Sequence, residues 1–125
     1  MKDEKVKPYD IRQRTFEYAL DAIKLYQALQ EKRDGAAWVI GKQFLRSATS
    51  IMANIEEAQS AESKADFVHK YGIAQKEIRE SSYWLRLIGA ASLIAGDKIS
   101  AMLKETDELK AIVTTIILSA KKAKK

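Results

Sequence analysis

The chain has no cysteine, one proline and one histidine among its 125 residues. Without cysteine there is neither a disulfide framework nor a thiolate metal site. Pro8 and five glycines are few breakers for this length, so long helices are favoured. No apolar run approaches the roughly 18 residues that a membrane-spanning helix needs. The opening MKDEKVKPYD lacks the apolar stretch of a signal peptide, so a cytoplasmic protein with no membrane partner is expected. Sustained period-two alternation, hairpin dipeptides between strand-like runs and glycine-rich phosphate loops are also missing. What remains is 46% hydrophobic and 31% charged, the composition of one ordinary globular domain.

Apolar spacing predicts four helices, at about 10–32, 36–58, 63–88 and 97–121. Residues 1–9 read as a disordered or extended arm, 10–120 as the bundle and 121–125 as a basic tail. In the first helix Asp10 is placed to cap, and Phe16, Leu20 and Ile23 continue to Tyr26 or Gln27 as the inward seam, widened by Ala19. Gly35 is expected to end that helix in the left-handed conformation. The second seam is Phe44, Ala48, Ile51 and Ile55. Ser63 opens the third helix, whose seam is Phe67, Tyr71, Ala74, Ile78, Ser81, Leu85 and Ile88, with Gly72 expected at a close helix contact. The fourth seam is Ile99, Met102 or Leu103, Thr106, Leu109, Val113, Ile116 and Ala120; 89–96 is a loop or broken turn. Four amphipathic helices with short connections imply an all-α, antiparallel up-and-down bundle.

Two segments carry more apolar surface than one stripe. Tyr83, Trp84 and Leu87 on the third helix, and Ile112, Ile117 and Leu118 on the fourth, are candidates for a homo-oligomer interface. A polar stripe lies beside the second seam. Arg46, Ser50, Asn54 and Glu57, facing Glu77 and Glu80, form either a solvated flank or a hydrogen-bonded layer in which Arg46 grips a carboxylate.

These residues carry a resemblance. Arg46-Ser47, Ser50-Ile51, Asn54 to Ala58, Ser63 to Phe67, Ile73-Ala74, Lys76-Glu77, Glu80, Tyr83-Trp84-Leu85, Glu105 and Glu108-Leu109 together resemble the four-helix-bundle proteins named after 23S rRNA intervening sequences. The family pattern often has Pro where this chain has Met52 and Gly where it has Ala58. The resemblance implies a ring-like homo-oligomer, a pentamer, with no established catalytic activity.

Catalytic constellations are thin. Asp66 and His69, or Glu77 and Glu80, have the three-residue spacing of a bundle metal pair, with Glu57, Glu105 and Glu108 on other helices. A di-iron bundle draws two Glu-x-x-His pairs, and a single histidine cannot supply both. His69 reads as a surface residue, and no motif ties it to Ser47, Ser50, Ser81 or Ser82. No catalytic residue, cofactor, metal or small-molecule substrate is expected, which leaves a metal-dependent bundle enzyme as an outlying alternative.

Charge is local. Lys121, Lys122, Lys124 and Lys125 hold four of the 22 basic side chains; the other 18 face 17 acids. Five clustered tails would bring about twenty positive charges together. The chain therefore reads as an oligomeric scaffold or protein-interaction module, with sequence-tolerant RNA or DNA binding through the tails as the alternative.

Overall fold

Four helices make up most of residues 10–123, the residues described by the computed structural model. They are α1 (Ile11–Gln30), α2 (Gly35–Ala58), α3 (Lys64–Ala90) and α4 (Gly96–Lys122), with no strand among the described residues. The arm expected at 1–9 lies outside them, as do Lys124 and Lys125. Each helix packs on its sequence neighbours, α4 also packs on α1, and the backbones of α1 and α3, and of α2 and α4, stay apart across the diagonals. The all-α bundle therefore has four corners, with α1 and α3 on one diagonal.

Caps set the helix starts. Asp34 is extended and its carboxylate accepts from the amides of Ala36 and Ala37, so Arg33-Asp34-Gly35 begins α2 rather than closing α1. Gly35 has no positive φ. Ser63 accepts from the Asp66 amide, and Asp66 sits in the first turn where the helix dipole favours it. Asp10, by contrast, makes no side-chain cap. The third helix runs through Gly89 and Ala90, beyond the expected end. Ser92 then takes a left-handed φ of 58° while Leu93 N–H bonds Ile88 C=O at 3.1 Å and Ser92 N–H bonds Gly89 C=O at 3.0 Å. That is a Schellman ending, tethered by the buried Leu93, with serine where glycine is usual.

The inward seams of α2 and α3 follow the spacing in the sequence, with Phe67 half-buried and stacked on Tyr71 at 4.6 Å. On α4 the last core position is Ile117 rather than Ile116 or Ala120. The first helix is rotated by more than a third of a turn from the expectation. Ile11, Thr15, Tyr18, Ala22, Leu25 and Leu29 face the core and Ala19 is buried as expected, whereas Phe16, Leu20 and Ile23 point outward at 49%, 44% and 39% exposure.

One hydroxyl from each helix joins a pair that bonds across the core. Tyr18 of α1 shares a 2.6 Å hydrogen bond with Thr106 of α4, and Ser47 of α2 shares one of 2.8 Å with Ser81 of α3. Thr106 donates on to Met102 C=O and Ser47 to Phe44 C=O, so these hydroxyls are satisfied. Burial pushes the Tyr18 phenol well above the usual tyrosine range, against the opposing effect of Thr106 and Ser81, so the group stays protonated.

The close helix contact lies at Gly41, not Gly72. A Cβ at Gly41 would come within 2.9 Å of Leu29 Cδ1 on α1, whereas one at Gly72 meets nothing within 4 Å. Gly72→Ala should therefore raise stability by up to about 1 kcal/mol, as helix propensity allows. Gly41→Ala should forfeit that gain because Leu29 must shift. Urea unfolding followed by circular dichroism reads both. Tyr18→Phe should lower stability by about 1 kcal/mol, the net worth of a lost buried hydrogen bond, without changing helix content.

Candidate functional site

Arginine–glutamate ties close three of the four seams between neighbouring helices. Arg12 on α1 holds Glu56 on α2 through Nε and Nη2, at 3.3 and 3.0 Å. Arg14 grips Glu105 on α4 with two bonds, at 3.0 and 2.6 Å, and reaches Glu108 at 2.6 Å. Arg46 on α2 bonds Glu77 on α3 at 3.3 Å and Glu80 beside it. Glu77 is buried and Glu80 half-buried. Partial burial raises the Glu80 carboxyl, yet the Trp84 indole N–H and Arg46 outweigh it and hold the group below the usual carboxylate range. The hydrogen bond from Arg14 likewise holds Glu108 low.

The polar layer expected on α2 and α3 is therefore assembled in part. Arg46, Glu77 and Glu80 come together. Asn54 turns back along its own helix and donates to Ser50 C=O at 2.9 Å, while Glu57 faces solvent, outside that cluster. Ser81, expected as a polar seam position, forms the buried bond across the same seam with Ser47.

The candidate interface residues divide by depth. Tyr83 and Leu87 stand out from α3 at 55% and 46% exposure, and Leu118 is exposed on α4. Trp84 is half-buried, its indole bound to Glu80 at 3.1 Å, and Ile112 is half-buried against the core. Ile117 faces inward and fills the core, because position 117 follows Val113 by four residues on the buried stripe. The outward stripe that sequence reasoning placed in the core is Phe16, Leu20 and Ile23. Its four- and three-residue spacing was legible; its direction was not. Trp38 and Val39 are also exposed, and the Trp38 indole donates to Gln30 C=O at 3.1 Å, bracing the α1–α2 turn.

His69 is exposed, and among the described residues no group of three or more histidine, aspartate or glutamate side chains is placed to hold a metal ion. Lys121 and Lys122 are exposed in the last turn of α4. Lys64 of α3 reaches the same end and donates to the carbonyls of Lys121, at 3.3 Å, and Ala123. No described helix is long and apolar enough to cross a membrane.

Two predictions follow from the ties. An Arg46→Ala, Glu80→Ala double-mutant cycle should give a coupling of about 0.5–1 kcal/mol, the range for a partly solvated pair. Because the Glu80 and Glu108 carboxyls are lowered in the folded state, their contribution is full above the unfolded glutamate value, about 4.3. It is lost as pH falls through the lower folded values. The urea midpoint should thus hold from pH 7 to 5 and drop below roughly pH 4, and Glu108→Gln should shrink the drop.

A search of curated proteins returns no match. A crystal structure of a protein of unknown function from the S23 ribosomal protein family of Bacteroides thetaiotaomicron superposes with a TM-score of 0.81 at 36% identity, covering 86% of this chain and 97% of that one. Residues 7–115 match the family described as 23S rRNA-intervening sequence protein. That match covers most of the sequence, and the chain belongs to the 23S rRNA-intervening sequence protein family.

Proposed function

We propose that this protein is a non-enzymatic scaffold that assembles with copies of itself, head to tail, into a closed ring. The observation that carries this reading is a pair of apolar faces on opposite corners of one bundle. Phe16, Leu20 and Ile23 recur at steps of four and three along the outer side of α1. Tyr83 and Leu87, four residues apart, stand on the outer side of α3. Since α1 and α3 lie on a diagonal and both sets of side chains are exposed on their outer sides, neither face covers the other within a chain. Contiguous apolar surface on a soluble protein marks an interaction site. Two different patches on opposite sides suit a heterologous contact, which closes into a ring when the rotation permits. Five copies, implied by the family resemblance, is the size proposed.

The up-and-down arrangement belongs to the same proposal. Arg12 at the start of α1 meets Glu56 near the end of α2, and Arg14 meets Glu105 and Glu108 in the middle of α4. Lys64 at the start of α3 meets the last turn of α4. Start-to-end pairings of this kind support antiparallel neighbours.

A second reading, binding of RNA or DNA phosphates, is favoured by the convergence of Lys64, Lys121 and Lys122 at one end of the bundle. A ring would repeat that cluster around one face and add avidity.

Sedimentation equilibrium of the full chain should give a single closed species of several subunits. Leu20→Asp and Leu87→Asp should each shift it to monomer while helix content is kept; a wild-type monomer would remove the scaffold reading. A gel-shift series with RNA and duplex DNA should show retardation that weakens steeply with salt and is lost on ending the chain at Ala120; no retardation at low salt would remove the nucleic-acid reading.

A further inference from the structure

The seam between α3 and α4 differs from the other three. Apart from Lys64, which holds backbone carbonyls at the last turn of α4, its side-chain tie is the neutral bond from Gln75 to Thr114, at 3.0 Å, with no arginine–glutamate clamp among the described residues. Along this seam lies a groove of about 400 Å³ lined in part by Arg79, Ser82, Tyr83 and Arg86 of α3 and by Asp107 and Lys110 of α4. Three cations thus face one carboxylate. Arg12, Arg14 and Arg46 are each bound to glutamate, whereas neither Arg79 nor Arg86 pairs with a carboxylate among the described residues. Both are exposed, and they stand seven residues, or about 10 Å, apart along one side of α3. Lys110 reaches the groove from the opposite wall.

We propose that this groove binds a small anion carrying phosphate groups and at least two negative charges. Guanidinium forks match phosphate oxygens two at a time, and the Ser82 hydroxyl on the same wall adds a further donor. The excess of two positive charges in the lining sets the charge of the occupant. The separation of the two arginines suits a phosphate chain rather than one isolated oxyanion. The volume lies within the range of small-molecule sites, and Asp107 interrupts the positive run that a long polyanion would follow. Tyr83, with the Arg86 guanidinium 5.5 Å from its ring centre, supplies an aromatic surface at the edge where a base could stack. The three cations stand independently of the assembly reading; Tyr83 alone is shared with it.

Calorimetric titration of the full chain with pyrophosphate, at physiological ionic strength of about 0.15 M, tests the site. Saturable binding with one anion per chain is expected. Arg79→Gln and Arg86→Gln should each weaken it by about tenfold or more, the worth of a charge-assisted hydrogen bond. Asp107→Asn should tighten it, and replacing Lys121 and Lys122 with glutamine should leave it unchanged. Circular dichroism checks that each variant is folded, and the gain expected from Asp107→Asn cannot arise from misfolding. A parallel titration with ADP separates the sources. Tighter binding that falls with Tyr83→Leu assigns a nucleotide, and equal binding assigns the phosphate chain alone. Absence of saturable pyrophosphate binding, or binding that survives both arginine substitutions, would overturn the proposal. So would an oligonucleotide that binds through Arg79 and Arg86 where pyrophosphate does not.

Discussion

Four buried hydroxyl groups that pair between helices govern this bundle. A buried hydroxyl without a partner costs about 1–3 kcal/mol, so Tyr18 is committed to Thr106 and Ser47 to Ser81. Each bond joins two helices and is met only at one register and one rotation. Apolar contacts tolerate small rotations of a helix about its axis; a hydrogen bond 2.6–2.8 Å long does not. With one such residue on each helix, the layer selects which stripe of every helix faces inward. It therefore also selects what is left outside.

The outer consequences are of two kinds. On α1, turning Tyr18 inward forces Phe16, Leu20 and Ile23 out, and on α3, turning Ser81 inward leaves Tyr83 and Leu87 out. Apolar side chains that large, aligned on opposite corners, are the raw material of a repeating contact between copies. Around the rim, three seams are sealed by arginines whose charge is spent on glutamate. On the fourth, between α3 and α4, Arg79 and Arg86 have no carboxylate partner among the described residues. The proposed assembly faces and the proposed anion groove thus sit on separate features of the same frame, apart from Tyr83 at their border.

Much of this frame was legible in the sequence. Phe44, Ala48, Ile51 and Ile55, and Tyr71 through Ile88, announce their inward faces because one stripe keeps its three- and four-residue rhythm along most of the helix, while the other apolar residues are confined to a short stretch. Ser63 announces its cap. The first helix misleads because it has two stripes at helical spacing. The greasier one, Phe16, Leu20 and Ile23, faces water, while the true core stripe is diluted by Thr15 and Ala22. Hydrophobicity ranks the stripes in the wrong order; the signal that ranks them correctly is long-range, the partner Thr106 that Tyr18 requires. The Arg46 to Glu80 pairing was legible because both residues flank known seams. The fates of Asn54 and Glu57 were not, since a polar residue beside a seam can turn to its own backbone or to water at similar cost. The α3–α4 groove was hidden for another reason: it needs Arg79, Arg86 and Lys110 from two helices whose relative height no single-chain pattern records.

The central claim is that the α1 face of one copy meets the α3 face of the next. Mixing the Leu20→Asp chain, which keeps its α3 face, with the Leu87→Asp chain, which keeps its α1 face, tests it most directly. Sedimentation velocity of each alone and of the equimolar mixture is the measurement. The account predicts monomers apart and a one-to-one dimer on mixing, joined by the single intact contact. If the mixture stays monomeric while the wild-type chain assembles, or if either chain alone forms a dimer, the faces do not meet in this way and the claim fails.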